Sequence, residues 1–157
     1  MATEVERKFL LAGDAWRAVA DSGTLYEQGY LATANPGETV RVRIADGSGY
    51  LTLKGPTKGL SRAEWEYKIP LSDAQDMLQT LCNPNRIRKK RHLIKTPDGL
   101  AWEIDVFEGK NAGLIIAEVE LDSEAQEIKL PDWVSTEVSG DPRYFNASLV
   151  EHPFSEW

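Results

Sequence analysis

The residues with the clearest chemical potential stand near the start of the chain, in the segment EVERKFL at residues 4–10. If this segment is a β-strand, its side-chain period of two places Glu4, Glu6 and Lys8 on one face. Two carboxylates beside an ammonium group suit a divalent cation on the acids and an anion on the lysine. An exposed strand with alternating charges, common on half-solvated antiparallel sheets, explains the same pattern. The segment alone leaves both interpretations open.

Composition and charge restrict the classes of protein to consider. A chain of 157 residues with 41% hydrophobic and 27% charged residues is typical of one globular domain, here predicted over residues 1–157. The sequence contains no apolar run of membrane-spanning length and no apolar signal at its start, and its lone Cys82 cannot form an internal disulfide, so we expect a cytoplasmic protein. A net charge of −7 argues against general binding to nucleic acid or anionic membranes.

Alternating polar and apolar residues predict about eight strands, mostly joined as hairpins. After the first strand, these are expected at residues 24–33, 39–45, 50–54, 61–69, 86–95, 101–107 and 114–121. Short helices are expected after Asp14 and Pro70, with Ser72 as a possible cap, and again from Ser123 and from Asp141. No linker is long enough to divide the chain.

Several of these strands carry charges of one sign on one face and apolar residues on the other. The same-sign pairs are Arg41 with Arg43, Lys89 with Arg91, Glu103 with Asp105, and Glu118 with Glu120. For any single strand, one solvent-exposed face and one buried face are sufficient to explain this pattern. Repeated in strand after strand, however, the pattern favours charged faces that meet each other.

A closed barrel is the architecture that brings such faces together. Eight antiparallel strands can close into a barrel, and inward charged faces would then line a polar tunnel. The outward apolar faces would need covering by helices, for which the sequence offers Trp16, Val19, Met77, Leu78 and Leu81. We therefore predict an α+β, mainly β fold, with a closed eight-stranded antiparallel barrel and short helices packed outside.

Together these segments resemble the CYTH superfamily, the triphosphate tunnel metalloenzymes. The family's ExExK strand matches residues 4–8, and the likeness continues in the family's order through most of the chain, closest to small single-domain bacterial members. The matching segments are QGYL at 28–31, RVR at 41–43, LTLKGP at 51–56, SRAEWE at 61–66, KKR at 89–91, WEIDVFEG at 102–109, AEVEL at 117–121 and RYFN at 143–146. The resemblance implies a closed eight-stranded barrel that hydrolyses a triphosphate with a divalent metal, Mg²⁺ or Mn²⁺.

The resemblance also implies roles for individual residues. It assigns the metals to Glu4, Glu6, Asp105, Glu118 and Glu120, with Glu103 assisting more weakly. It assigns phosphate binding to Lys8, Arg41, Arg43, Lys54, Arg62, Lys89, Arg91 and Arg143, and catalysis to Lys8, Tyr30 and Glu6. Glu64 and Glu66 fit either ligands or ion-pair partners of neighbouring bases. Phe145 departs from the pattern, because small relatives often carry a basic residue there.

The first functional hypothesis is hydrolysis of inorganic triphosphate to diphosphate and phosphate, because the sequence shows no obvious nucleobase pocket. The expected partner is a triphosphate-containing small molecule, and a monomer and a homodimer are both open. Class IV adenylyl cyclase and hydrolysis of thiamine, nucleoside or RNA triphosphates are the enzymatic alternatives. A non-catalytic polyphosphate-binding module is the alternative of another class, although binding a polyanion would not need the acidic residues.

Overall fold

The computed structural model describes residues 2–157, and its main feature is one nine-stranded antiparallel sheet. The strands are β1 (Ala2–Leu11), β2 (Thr24–Leu31), β3 (Thr39–Ala45), β4 (Ser48–Lys54), β5 (Ser61–Ile69), β6 (Ile87–Lys95), β7 (Ala101–Phe107), β8 (Ile115–Glu120) and β9 (Val134–Glu137). Within residues 2–157 the α-helices are α1 (Leu71–Thr80) and α2 (Asn146–Glu151). Single 3₁₀ turns lie at Ala15–Ala18, Gly109–Asn111, Pro142–Tyr144 and Phe154–Glu156.

The sheet closes on itself through the two edges of β1. The strand order is β5-β4-β3-β2-β6-β7-β8-β1, and the first half of β1 also pairs with β5, where Val5 lies opposite Ser61. The predicted closed eight-stranded antiparallel barrel is therefore confirmed. The additional strand β9 pairs with the second half of β1, where Phe9 lies opposite Glu137.

A tight hairpin fixes the register of two strands that matter for the cavity. Asp46 and Gly47 connect β3 to β4 with φ angles of 49° and 69°, which a two-residue type I′ turn requires. The register that follows places Arg41 opposite Thr52 and Arg43 opposite Tyr50.

The segment that follows β1 covers the outer face of β1, β7 and β8. Trp16, in the first 3₁₀ turn, is fully buried and belongs to a core that includes Phe9 and Trp102. The helix predicted after Asp14 is only this four-residue turn, and Asp14 makes no side-chain cap bond. Val19 is therefore 61% exposed and does not cover the barrel, because no second helical turn brings it back to the sheet.

Helix α1 covers the outer face of β3 and β4. Leu78 of the predicted stripe is buried against Val42, with Met77 partly buried beside it, and Ala74, which was not predicted, is buried there too. The helix starts after Pro70 and Ser72 makes no cap bond. Leu81 follows the end of the helix and is 60% exposed, so it does not contribute to the cover.

After β8 one local expectation is wrong and one strand was missed. The segment from Ser123 to Ile128 is a turn and not a helix: the Gln126 N–H donates to the Ser123 carbonyl, and its side chain accepts from the Asp122 N–H. The short strand β9 was not predicted, because four residues give too little alternation to register as a pattern. No helix within residues 2–157 is long and apolar enough to cross a membrane.

Candidate functional site

A cavity of about 1110 Å³ lies within the barrel and is lined by side chains from all eight of its strands. All the predicted site residues line it except Asp105 and Arg143. Its wall also includes Glu64, Glu66 and Glu103, together with residues of the C-terminal segment 145–151. The alternation of side chains along each strand explains the shared direction, since residues two apart face the same side.

The carboxylates concentrate on three consecutive strands of the barrel, β8, β1 and β5. We call Glu4, Glu6, Glu64 and Glu120 the acidic sector; within it, Glu6 lies directly opposite Glu120. Enclosure in the barrel raises the pKa of Glu6, with Glu4 adding to the rise and Lys8 opposing it. Burial also raises the pKa of Glu120, reinforced by Glu4 and Glu64. This sector therefore carries negative charge that attracts a cation.

Lys54 is a counterion inside the acidic sector. Its Nζ lies 2.6 Å from a Glu4 oxygen and 3.0 Å from a Glu64 oxygen. Both contacts are largely shielded from water, so they are stronger than a surface pair. Of the two roles open to Glu64, the structure therefore shows the ion pair.

The basic side chains concentrate across the barrel, on β3 and β6, which flank β2. We call Arg41, Arg43, Lys89 and Arg91 the basic sector. Burial lowers the pKa of Arg43 to about 10, and Arg41 and Arg91 add repulsion. Burial lowers the pKa of Lys89 to about 7, because the attraction of Asp105 only partly offsets it and Arg91 repels the charge. These crowded cations form a site for an anion.

Asp105 lies against the basic sector and not among the acids. It is fully buried, and one of its oxygens lies 2.6 Å from Lys89 Nζ. Arg91 binds the carboxylate through both Nε (2.7 Å) and Nη2 (2.8 Å). Burial alone would raise the pKa of Asp105, but Arg91 and Lys89 hold it well below its usual value. The structure thus places Asp105 as the partner of two bases, apart from the other predicted metal ligands.

Arg41 has a donor with no partner. Its Nη2 donates to Thr52 Oγ1 at 3.2 Å and to Glu66 at 3.4 Å, which shows Glu66 as an ion-pair partner. Its Nε is buried without an acceptor among the described residues. Leaving such a donor unpaired costs about 1–3 kcal/mol, and an anion in the cavity could offset that cost.

Lys8 and Glu118 lie between the two sectors. Lys8 Nζ is 3.5 Å from Glu118 and 3.8 Å from Glu6, and Glu118 also lies 3.5 Å from Arg91. Burial opposes the charge of Lys8, but Glu118 and Glu6 outweigh it and raise the pKa of the ammonium group. Its Nζ also lies 5.4 Å from the centre of the Phe145 ring. Lys8 therefore stays protonated next to both sectors.

The remaining predicted bases differ in their placement. Arg62 lines the cavity and donates to the carbonyls of Gly55 (2.9 Å) and Gly37 (3.1 Å). Arg143 lies outside the cavity wall, exposed, and pairs with Asp141 at 2.7 Å. It stands in a 3₁₀ turn that Asp141 caps, so the nearest acceptor is its own neighbour. The structure does not bring Arg143 to the other site residues.

Two uncharged residues that the site prediction omitted, Gln28 and Asn146, contact its members. Gln28 is fully buried, accepts from Arg43 and donates to the Tyr30 hydroxyl at 2.7 Å. Asn146 accepts from Lys89 at 3.0 Å. Gln28 lies two residues from Tyr30 on the same strand face, so the alternation of side chains could have indicated that it belongs to the site. Asn146 ends the RYFN segment at 143–146, so the family resemblance was the available signal for it.

The predicted metal-binding glutamates of the cavity, three in the acidic sector and Glu118 beside it, have the right chemistry for a divalent metal but do not yet surround one point. Glu4, Glu6, Glu118 and Glu120 offer the carboxylate oxygens that Mg²⁺ and Mn²⁺ prefer. Across residues 2–157, however, no three acidic, histidine or cysteine side chains already converge on one point. Lys54 and Lys8 occupy several of these oxygens, so a metal would bind with side-chain rotation.

Comparison with known proteins identifies the family and the fold that this chain shares. A family model for the CYTH domain matches residues 2–154. An inorganic triphosphatase of Acetivibrio thermocellus is 45% identical over all of this chain and 99% of its own length. Another, from Nitrosomonas europaea, is 38% identical over 94% of this chain and 97% of its own length. The crystal structure of an inorganic triphosphatase superposes with a TM-score of 0.64, at 34% identity over 96% of this chain and 95% of that one.

Proposed function

The chain belongs to the CYTH domain family, and from this premise we propose that it is a metal-dependent enzyme that hydrolyses inorganic triphosphate to diphosphate and phosphate. One observation carries the proposal: a closed barrel holds an acidic sector and a basic sector that face each other across one cavity. Neither a cation nor an anion alone satisfies both sectors, whereas a metal–polyphosphate complex does. Two relatives named inorganic triphosphatase, similar over nearly their full lengths, support the same conclusion.

The basic sector binds the phosphate oxygens. The arginine guanidinium group matches two oxygens of one phosphate with its planar fork, whereas a lysine acts as a point charge. Arg41 has a buried Nε ready for an oxygen, and Arg43 and Arg91 flank the same space. Arg62 and Lys54 also line the cavity, so further bases are available to the other phosphate groups. Such fixed charges stabilise the charge that spreads over the transferred phosphoryl group.

The acidic sector, together with the adjacent Glu118, holds the metal, for which we propose Mg²⁺ or Mn²⁺. Glu4, Glu6, Glu118 and Glu120 are the residues that would bind it. When bound, a divalent ion offsets phosphate charge and lowers the pKa of an attacking water. Asp105 is not included, because its carboxylate is fully engaged by Lys89 and Arg91.

Lys8 is placed to act at the reacting phosphate. It is the base nearest the junction of the two sectors, and Glu118 and Glu6 keep it protonated. An ammonium group there can stabilise charge on the phosphoryl group as the bond to the leaving diphosphate breaks. Tyr30 lines the same cavity, and its hydroxyl accepts from Gln28, which leaves its proton free to donate.

We further propose that the enzyme works in the cytoplasm, as a monomer or a homodimer. Its lone Cys82 is buried as a free thiol beside α1, which is compatible with a reducing compartment.

Phosphate release from tripolyphosphate tests the proposed function. The purified protein would be assayed with Mg²⁺, with Mn²⁺ and with a chelator, and with ATP in parallel. We expect metal-dependent release from tripolyphosphate and little from ATP. Formation of cyclic AMP or preferential turnover of ATP would point to a cyclase or nucleotide enzyme. Tight binding of tripolyphosphate in chelator without hydrolysis would identify a binding module.

A further inference from the structure

A buried bridge of uncharged side chains connects the bases of the cavity. Gln28 is 0% exposed, and its Oε1 accepts from Arg43 Nε at 2.9 Å. Its Nε2 donates to the Tyr30 hydroxyl at 2.7 Å and to Asn146 Oδ1 at 3.3 Å. Both polar atoms of the Gln28 amide are therefore hydrogen-bonded, and these bonds hold Arg43, Tyr30 and Asn146 in place.

These contacts determine the orientation of the Asn146 amide. Its Oδ1 accepts from two donors, Lys89 Nζ at 3.0 Å and Gln28 Nε2 at 3.3 Å. With Lys89 protonated and paired with Asp105, a flipped amide would place its NH₂ group against an ammonium group and another amide NH₂, three donors with no acceptor. The carbonyl side of Asn146 must therefore face Lys89 and Gln28, and the NH₂ side must face away from them.

The free side of this amide borders the cavity. Asn146 is half-buried, and it lines the same cavity as Lys89, Arg43 and Lys8. Within residues 2–157, its Nδ2 has no hydrogen-bond acceptor, although the other side of the amide is bonded twice. A fixed donor with two hydrogens thus borders a space surrounded by cations.

An uncharged donor is well suited to this position. Lys89, Arg43 and Arg91 already repel one another, so a further cation would have to overcome their charges. An amide NH₂ adds donors for an anion without adding to that repulsion. Asn146 is also the first residue of α2, so this contact joins the C-terminal segment to the barrel bases.

We propose that Asn146 is a substrate-binding residue whose Nδ2 donates to a phosphate oxygen of the bound triphosphate, with Gln28 and Lys89 holding the amide in place. This inference rests on the proposed function, because it names a further contact to the same substrate. Gln28 acts through its neighbours and is a positioning residue.

Two variants separate donation from positioning. Asn146→Asp keeps an oxygen for Lys89 and Gln28 but replaces the free donor with a second oxygen, which repels phosphate. Asn146→Ala removes both sides of the amide. Asn85→Ala is the matched control, because Asn85 is exposed and outside the cavity wall. Melting temperatures would be recorded for each protein.

The readout is KM and kcat for tripolyphosphate with saturating metal. A hydrogen bond to a charged group contributes about 1.5–3 kcal/mol, so we expect KM to rise roughly 10- to 100-fold in both variants, with a smaller change in kcat. Asn85→Ala should behave like wild type. A wild-type KM in Asn146→Asp would overturn the inference, since only the accepting side would then matter. If Asn146→Asp does not fold, an unchanged KM in Asn146→Ala overturns it equally.

A calorimetric titration with tripolyphosphate distinguishes failure of this inference from failure of the proposed function. If wild type binds tripolyphosphate but does not hydrolyse it, the proposed function fails. The Kd ratio of Asn146→Asp to wild type then decides the inference, with a 10-fold or larger ratio supporting it and equal values overturning it. Absence of binding by wild type overturns both.

Discussion

At the scale of single residues, the cavity is organised by ion pairs between groups assigned to different ligands. Lys54 pairs with Glu4, and Lys8 and Arg91 both pair with Glu118. Metal and phosphate must replace several of these contacts when they bind. The binding of one ligand therefore releases partners for the other, which couples the two binding events energetically.

The lowered pKa of Lys89 predicts a pH-dependent affinity for substrate. Burial lowers this pKa to about 7, so the ammonium group loses its proton as the pH rises through 7. The KM for tripolyphosphate should then rise between pH 6 and pH 8. Lys89→Arg stays charged throughout and should lose this part of the pH dependence.

Lys90→Arg is the matched control for this experiment, because Lys90 is the next residue of the same strand and is exposed. KM profiles from pH 6 to pH 8 would be compared for the three proteins. Superimposable profiles for wild type and Lys89→Arg would show that Lys89 does not titrate in this range.

Asp105→Asn should destabilise the fold, because it removes the buried anion that pairs with both Lys89 and Arg91. Breaking a buried ion pair in this way costs about 3–5 kcal/mol in the free energy of unfolding. The low pKa of Asp105 stabilises the protein above the pKa of an unfolded aspartate, and that stability is lost as the pH falls. The difference between variant and wild type should therefore shrink below about pH 4.

Chemical denaturation at neutral and acidic pH measures this effect. Asp132→Asn, at an exposed carboxylate, serves as the control. Equal unfolding free energies for wild type and Asp105→Asn at pH 7 would contradict the assignment of Asp105 to the two bases.

At the scale of elements, helix α1 lies in a notch made by two glycines. A Cβ atom at Gly29 would lie 2.8 Å from Leu78, and one at Gly49 would lie 2.7 Å from Ala74. Neither glycine has a positive φ angle, so the requirement for glycine comes from the close approach of the helix. The notch allows α1 to cover the outer face of β3 and β4.

Gly49→Ala should push α1 away from the barrel. The added methyl group would also lie 3.2 Å from the Ile69 carbonyl oxygen, so backbone would have to move. Overpacking of this kind costs about 1–3 kcal/mol, which thermal or chemical unfolding would detect. Gly140→Ala is the control, since nothing lies within 4 Å of its added Cβ. Equal stability of the two variants would refute the close-packing interpretation.

The sequence predicted the strands better than the contacts between them. Alternation identified all eight barrel strands, because each has a polar inner face whose period is two. Asp105 shows the limit of this reasoning: parity places it inside, but the register that sets it opposite Arg91 depends on β6–β7 pairing. Likewise, the helix predicted from Ser123 is wrong, because the spacing of residues alone could not distinguish a short helix from a turn.

At the scale of the whole molecule, closure of the barrel accounts for the site. The protein carries a net charge of −7, yet its cavity concentrates bases on one side and acids on the other. The strand order makes this possible, since β8, β1 and β5 are contiguous, as are β3, β2 and β6. No single strand contains the site, and its two sectors face each other across one cavity only once the sheet has closed.

The most direct test of this two-sector account is the metal dependence of tripolyphosphate hydrolysis in Glu6→Gln. The variant removes one charge from the acidic sector while keeping the size of the side chain. Initial rates of phosphate release would be measured against Mg²⁺ and Mn²⁺ concentration for wild type, Glu6→Gln and the exposed control Glu127→Gln. Circular dichroism would confirm that all three proteins are folded.

We expect Glu6→Gln to lose at least about 100-fold in rate or to need far more metal, as for loss of a group that stabilises transition-state charge. The Glu127→Gln variant should match wild type. Unchanged turnover and unchanged metal dependence in a folded Glu6→Gln protein would contradict the assignment of the acidic sector to the metal.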